Sequence, residues 1–466
     1  MNADSPAQLL GVDIAYFVAT GLFIIGLRRM TSPSLSRSSI WIAGVGMVIA
    51  IIATLTLAGD PGRRVLIPIA MFLGASFAYV QSRRVSMTDA PALIALYNGL
   101  GGGAAAGIAI VELLRAPEFS SSVRFFAVVG ALAGSVAFAG SLMAWHKLRS
   151  DMRRSIPFPN RQVVYLAIMT LVLLLGLLLT YSNTAHPALL LLFVLLGLFF
   201  GISMTLPIAA ADLPVLISLY NALTGLAVGF EGYVLGNPAM MVAGTLVFAA
   251  GSLLTQFMAR AVNRRLSEIM YSGFGMSEDH VAKTRVGDGI VNEVEAHDAA
   301  ASMAFANRVI VVPGYGMAIA QAQHKLRELT QLLEERGVQT AFAIHPVAGR
   351  MPGHMNVLLA DAGVPYEKIA DLSAINEEFS HADVALIVGA NDTVNPSARS
   401  DEKSPLFGMP VLNVDQAGSV IVLKRAEGQG YADVPNPLFE NSNTRVLRGD
   451  AKDSLQELIT CIKALD

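Results

Sequence analysis

Only one cysteine, Cys461, occurs in the 466 residues, which excludes an intrachain disulfide and any zinc site built on cysteines. It falls in the amphipathic run Ser454 to Leu465, where a core thiol is the expected role. Charge is also scarce: charged residues make up 15% of the chain and the net charge is −3. There is no basic field and no interleaving of aromatics with arginine, so nucleic acid is excluded as a partner. No serine or cysteine sits in a nucleophile setting, and no carboxylate pair suggests acid–base hydrolysis. His345 and His354 have no carboxylate or cysteine beside them at ligand spacing, so no metal site is expected. Met1 to Leu10 lacks a basic leader region and a cleavage site, which makes the first apolar run a retained membrane anchor.

What the chain has in abundance is apolar sequence, 53% of its residues, concentrated in the first 262 or so. Nine runs approach the length a bilayer requires: 12–27, 40–58, 65–80, 91–113, 125–145, 163–181, 187–206, 213–235 and 239–261. With nine spans the two ends lie on opposite sides. Arg28, Arg29, Arg37, Arg83, Arg84, Lys147, Arg149, Arg153, Arg154, Arg161, Arg260, Arg264 and Arg265 fall in alternate loops and the tail. Only Arg63, Arg64, Arg115 and Arg124 fall on the other side. The excess of positive charge makes the C-terminal part cytoplasmic and puts the N-terminus outside.

An internal repeat marks this half. Asp89-Ala-Pro-Ala-Leu-Ile-Ala-Leu-Tyr-Asn-Gly-Leu-Gly-Gly102 matches Asp212-Leu-Pro-Val-Leu-Ile-Ser-Leu-Tyr-Asn-Ala-Leu-Thr-Gly225, 123 residues further on. Each copy opens on an aspartate able to cap a helix and a proline tolerated in the first turn. Each then carries a carboxamide, Asn98 or Asn221, deeper in the span. An amide in hydrocarbon needs a partner, so the pair faces the bundle interior or a file of water. Either reading, helix-to-helix glue or a path across the membrane, fits these residues. Glu112 and Glu231, near the far ends of the same helices, fit a place in the interface.

From 263 to 294 glycines and charges rise, and the segment reads as a hinge. The remainder, 295–466, alternates strands and helices as in a Rossmann-like parallel-sheet nucleotide-binding domain. Arg308 to Val312 is a buried strand running into Gly314-Tyr315-Gly316 and then a helix expected over 317–336. A glycine turn before a helix is a phosphate-binding geometry. Further strands are expected at 339–344, 383–389, 410–414, 419–425 and 444–449. An NAD-specific fold would place an acidic residue after the second strand to hold the ribose, whereas this chain has His345. Lys424 and Arg425 leave a strand into a glycine-rich loop, where two cations suit a 2′-phosphate. With no protein nucleophile in view, the site is compatible with hydride transfer, which requires approach and orientation only.

Long motifs carry a resemblance to the β subunit of proton-translocating NAD(P) transhydrogenase. They are Pro313 to Ala318, His345 to Ala360, Gly389 to Pro396, Lys424-Arg425 with Gly430-Tyr431, and Asn436 to Phe439. Ala211 to Pro214, Asn221 and Asn263-Arg264 extend it into the membrane half. The resemblance implies that this chain binds NADP(H), with the dinucleotide reversed relative to ordinary Rossmann enzymes. It implies direct hydride transfer from NADH on a partner alpha subunit, coupled to proton translocation. The further expectations are a dimer of alpha–beta units in the cell inner membrane. By position, it assigns Gly314, Tyr315 and Gly316 to the diphosphate, and Val347, Ala348, Gly349, Arg350, Met351 and Pro352 to a cofactor loop. Gly389, Ala390, Asn391, Asp392 and Thr393 lie beside the nicotinamide half, with Asn391 and Asp392 serving the reaction. Lys424 and Arg425 take the 2′-phosphate, Gly430 and Tyr431 form a lid, and Gly449, Asp450 and Ala451 also touch the cofactor. Asn98, Asp212, Asn221 and Arg264 match the proton path. Asn98 stands where many members have a histidine, and an asparagine cannot carry a titrating proton, so any relay must use water, another residue or a histidine on the partner subunit. The alternative is a transporter or channel gated by an NADP(H)-sensing domain.

Overall fold

The computed structural model describes the chain except residues 1–5, 31–32, 58–60, 86–88, 116–118, 150–160, 183–185, 209–212, 262–265, 267–290, 352, 403, 405, 426–429, 431, 433 and 466. Packing divides it into two compact units. Met1–Ile208 with Leu216–Thr255 form one, and Ala209–Val215 with Gln256–Asp466 the other. Most of the expected hinge, 263–265 and 267–290, lies outside the described residues.

The helical unit contains, among the described residues, nine helices long and apolar enough to cross a membrane. They are α1 (Pro6–Met30), α2 (Pro33–Thr56), α3 (Pro61–Arg84), α4 (Ala90–Arg115), α5 (Ser121–Arg149), α6 (Arg161–Tyr181), α7 (Pro187–Thr205), α8 (Leu213–Val234) and α9 (Pro238–Ala261). The two shortest apolar runs, 12–27 and 65–80, belong to helices of 25 and 24 residues, because the flanks continue the helix past the apolar run. Prolines begin five of the nine, a position where the missing N–H would be unpaired anyway. In lipid, apolar surface gives helices little reason to associate, so close contact must come from small residues. α8 and α9 meet in this way: a Cβ on Gly244 would collide with the backbone of Gly229.

The sheet unit has a core on each face of six parallel strands in the order β3-β2-β1-β4-β5-β6. The strands are β1 (Arg308–Pro313), β2 (Gln339–Ile344), β3 (Ile369–Asp371), β4 (Val384–Val388), β5 (Ser419–Lys424) and β6 (Thr444–Arg448). Covered on both faces, β1 and β4 are near-continuous β-branched and aliphatic runs. Val309 and Val311 enter one cluster, with Leu326, Leu329 and Leu458. Ile310 and Val312 enter the other, with Phe379 and Leu438. Strand order reverses between β1 and β4, and ligands of such sheets bind at that point, outside the carboxyl ends.

Three expectations differ from the observed elements. The helix after the glycine turn is broken into α11 (Tyr315–Ile319) and α12 (Gln323–Glu335), preceded in the unit by α10 (Ala296–Ala304). Gln321 at the break has φ +50°, and Ala322 N–H closes the turn on Met317 O at 3.1 Å. The run 410–414 is no strand. Its backbone bonds elsewhere, Leu412 N–H donating to Thr393 O at 2.9 Å and Asn413 N–H to the Asn376 side chain at 3.0 Å, while β5 takes the place beside β4. β3, of three residues, has no counterpart in the sequence reading. Ile310 has no exposed surface at the centre of the sheet. Ile310→Ala should therefore destabilise this unit by about 2–5 kcal/mol, seen as an earlier unfolding transition in calorimetry of the purified chain.

Candidate functional site

At the switch point two strand ends touch backbone to backbone. Gly314 N–H donates to Val388 O and Gly316 N–H to Gly389 O, both at 2.9 Å. A Cβ on Gly316 would lie 2.7 Å from Gly389 Cα, and one on Gly314 would run into Gly389 O and Ala390. Gly389 has φ +71°, a conformation only glycine takes without strain. These glycines thus bring β1 and β4 together, and the Gly314 and Gly316 N–H groups are used on Val388 and Gly389. The helix that follows has five residues.

Around this contact the loop after β2 folds back over the turn. The Arg350 guanidinium lies 4.5 Å from the centroid of the Tyr315 ring, close enough for a cation–π contact. Arg350 N–H donates to Nδ1 of the fully buried His354 at 3.1 Å. Gly349, at φ +109°, presses on the same imidazole and leaves no room for a Cβ. His345, at the end of β2, is buried, and its Nδ1 accepts from Val347 N–H at 3.2 Å. A backbone N–H can only donate, so the ring proton sits on Nε2, which donates to Pro410 O at 2.7 Å. Burial lowers the His345 pKa to about 4 despite that bond. Val347, Ala348, Gly349, Arg350 and Met351 are therefore one tethered loop.

A second group forms after β4. The Asp392 carboxylate accepts from Ala432 N–H at 3.0 Å, and Gly430 lies against it with no space for a Cβ. Asn436 donates to Asn391 O at 3.1 Å and to Asn391 Oδ1 at 3.0 Å. Asn391 and Asp392 are thus stitched to Asn436 and Ala432, while Thr393 O accepts from Leu412 N–H at 2.9 Å. The third group lies at the ends of β5 and β6. Lys424 Nζ stands 4.2 Å from the Phe439 ring centroid, and partial burial with the nearby charge of Arg448 lowers its pKa. Arg425 pairs with Asp450, which also caps α14 (Ala451–Lys463) by accepting from Lys452 N–H at 3.0 Å. Burial opposes the charged form of Asp450, but the Arg425 hydrogen bond and the cap hold its pKa below the usual value. Gly449 N–H donates to Lys424 O at 3.1 Å, which fixes the two strand ends together.

In the helical unit Asn98 donates to Ser141 Oγ at 3.1 Å, and Thr224 donates to the Asn98 carbonyl at 3.4 Å. Asn221 is half-buried on α8. Glu231 has no exposed surface, and neither carboxyl oxygen has a hydrogen-bond partner among the described residues. It packs against Gly130 of α5, where a Cβ would strike its carboxylate. Pro352, Tyr431, Asp212 and Arg264 lie outside the described residues. Sequence reasoning passed over Ser141, Thr224 and Arg448 and gave Glu231 no more than an interface role. The signal for Glu231 was available in its position, a carboxylate in the span that carries Asn221.

Membrane-length helices joined to a doubly wound parallel sheet, with a glycine-closed switch point rimmed by cations, define a multi-pass membrane protein with a nucleotide-binding type of fold. The family described as NAD(P) transhydrogenase beta subunit matches residues 12–461, and the chain belongs to it. It is 41% identical over 458 residues to the NAD(P) transhydrogenase subunit beta of Rhodospirillum rubrum, covering 96% of this chain and 97% of that one. The same subunit from a designated strain of that species gives the same figures. The chain is thus an oxidoreductase subunit, and the beta designation implies an alpha subunit.

The His345 environment sets a pH dependence. Its folded pKa of about 4 lies below the ordinary 6.5, so between these values the unfolded chain binds more protons. Stability is full above about pH 6.5 and falls as pH drops through this window, by roughly 3 kcal/mol in all. His345→Gln should flatten that part of the stability–pH curve, measured by chemical denaturation from pH 4 to pH 7.

Proposed function

We propose that the sheet unit of this chain holds NADP(H) and exchanges hydride directly with NAD(H) on the alpha subunit, while the helical unit couples the exchange to proton movement. The observation that carries the reading is the combination at one sheet edge: a switch point stripped of side chains, cations at the ends of β5 and β6, and a buried, uncharged histidine where an NAD-specific fold has its acid. When bound, the nicotinamide supplies or takes the hydride. The residues of this chain position it. Gly314, Gly316 and Gly389 open the rim, Tyr315 and Arg350 form one wall, and Asn391, Asp392 and Thr393 form the other with Gly430 and Ala432, while Tyr431 is a further cofactor contact. Val347 to Met351 close over the turn, with Pro352 a further cofactor contact, Lys424 and Arg425 take the 2′-phosphate, and Gly449, Asp450 and Ala451 complete the edge. Asn391 and Asp392 are the residues beside the reacting ring.

The membrane part of the proposal runs along α4, α5 and α8. Asn98, Ser141, Thr224 and Asn221 give it hydrogen-bonding side chains, and Asp212 and Arg264 are assigned to it by sequence position. Glu231 supplies the titrating group that asparagine at 98 cannot. A buried carboxyl with no hydrogen-bond partner among the described residues is costly as an ion in hydrocarbon, which makes Glu231 the candidate to take and release a proton. The energetics suffice: one charge crossing about 200 mV releases roughly 4.6 kcal/mol, enough to shift a product ratio about a thousandfold. The positive-inside distribution supports a cytoplasmic sheet unit and an N-terminus on the outer side of the inner membrane, and residues 1–262, 263–294 and 295–466 serve as membrane domain, hinge and nucleotide domain. A pair of alpha–beta units is the proposed assembly.

Vesicles containing both subunits, given NADPH and an NAD analogue, should reduce the analogue with coupled proton movement. Reduction without proton movement would remove the pump from the proposal, and absence of hydride transfer would favour a channel gated by an NADP(H) sensor. Lys424→Ala should weaken NADPH binding by tenfold or more, on the order of 1.4 kcal/mol, while leaving NADH affinity unchanged in equilibrium titrations. Asn221→Leu and Glu231→Gln should leave NADPH affinity at the wild-type level but slow coupled turnover at least tenfold. Unchanged coupled turnover in both would place the proton path elsewhere.

A further inference from the structure

The cations at the end of β5 are arranged differently from their order in the chain. Consecutive side chains of a strand project to opposite faces. Lys424 follows Val420 and Val422 onto the face that holds Leu438 and Phe439, while Arg425 is held by Asp450 at the cap of α14. The residue in register with Lys424 on the neighbouring strand is Arg448. Residues paired in register share a face and stand about 4.8 Å apart. Arg448 follows Val446, which enters the same cluster as Val420 and Val422. Two cations side by side repel one another, and the partial burial of Lys424 beside Arg448 already disfavours its charge. Such a pair needs an anion.

Among the described residues, Arg448 is paired with Glu293, whose carboxylate accepts from Arg448 Nε. Glu293 is brought there by a parallel bridge to Val446, in which Val446 N–H donates to Asn292 O at 2.8 Å and Val294 N–H donates to Val446 O at 3.1 Å. Glu293 and Arg448 are 59% and 48% exposed, so this ion pair is weakly held and open to exchange. A carboxylate carries one negative charge, whereas a phosphate monoester near neutral pH carries up to two and offers three acceptor oxygens. It answers both Lys424 and Arg448, and the guanidinium fork can take two of those oxygens.

We infer that Arg448 is a further specificity-determining residue of the nucleotide site, forming with Lys424 a two-cation seat for the 2′-phosphate, and that Glu293 is the resting counter-ion which the phosphate displaces. This rests on the reading that the chain binds NADP(H). NADPH and NADH differ by that phosphate alone, so their affinities for the purified full-length chain isolate its contribution. Arg448→Gln should weaken NADPH roughly fivefold to tenfold and NADH less than twofold. Arg448→Lys should recover part of the loss, and Glu293→Gln should tighten NADPH by about twofold to threefold because a competitor has gone. The inference is overturned if Arg448→Gln keeps the wild-type preference for NADPH, if it weakens both nucleotides equally, or if Glu293→Gln fails to tighten NADPH. A wild-type chain that shows no preference for NADPH sinks the underlying reading instead, before any variant is made.

Discussion

The sheet unit depends on a contact that no side chain makes. Where β1 and β4 end, Gly314 and Gly316 donate to the carbonyls of Val388 and Gly389, and any Cβ at these positions would hold the strand ends apart. The rest of the rim takes its place from that closure. Tyr315 leaves the turn on one side and receives Arg350 over its ring. The segment 391–393 leaves on the other side, with Gly389 in the left-handed conformation that redirects it. A glycine-rich turn is usually read as room for a ligand, but here the room is a consequence and the strand-to-strand contact is the cause.

Loops at such a rim carry exposed backbone, and their order must come from side chains that replace the missing ladder. Asn436 does this for the loop after β4: its amide group holds Asn391 twice, while its own oxygen caps the turn at Leu438. His345 does it for the loop after β2, bonded to Val347 on one nitrogen and to Pro410 on the other. That role also explains why the run 410–414 cannot enter the sheet. Its polar groups are already committed to His345, Asn376 and Thr393. The absence of an acid after β2 and the absence of a strand at 410–414 are two sides of one arrangement.

The sequence made some of this legible and hid the rest for physical reasons. Membrane-length helices were readable because hydrophobic length is a bulk property, and only their polar ends escaped, as in Pro61–Arg84. β1 and β4 were readable as continuous apolar runs, and so was the glycine turn between Pro313 and Met317. The break at Gln321 was not, since nothing near it is glycine or proline and a glutamine with φ +50° has no local signature. β3 spans three residues, too few for a period to show. The pairing of Lys424 with Arg448 is a matter of register between strands, and register is fixed by the fold rather than by spacing in the chain. Lys424-Arg425 is conspicuous as a dipeptide, yet adjacency along a strand separates side chains instead of joining them.

The repeat in the membrane unit shows a comparable divergence between what sequence matches and what structure does with it. Asn98 and Asn221 occupy equivalent positions, but the residue three places on is Gly101 in one copy and Thr224 in the other, and these two face each other: a Cβ on Gly101 would stand 3.4 Å from Thr224 Cγ2. One copy gives up its side chain there and the other supplies a hydroxyl, which bonds back to the Asn98 carbonyl. Ten places on, the pair is Ile108 and Glu231. At these two positions the copies have diverged, α4 carrying glycine and isoleucine where α8 carries threonine and glutamate. A carboxyl at 231 with no hydrogen-bond partner among the described residues, packed on Gly130, costs free energy that a hydrocarbon side chain would not. Its presence on the helix that already carries Asn221 and Thr224 makes α8 the more polar copy of the repeat at these positions, while Asn98 has its hydrogen bonds in Ser141 and Thr224.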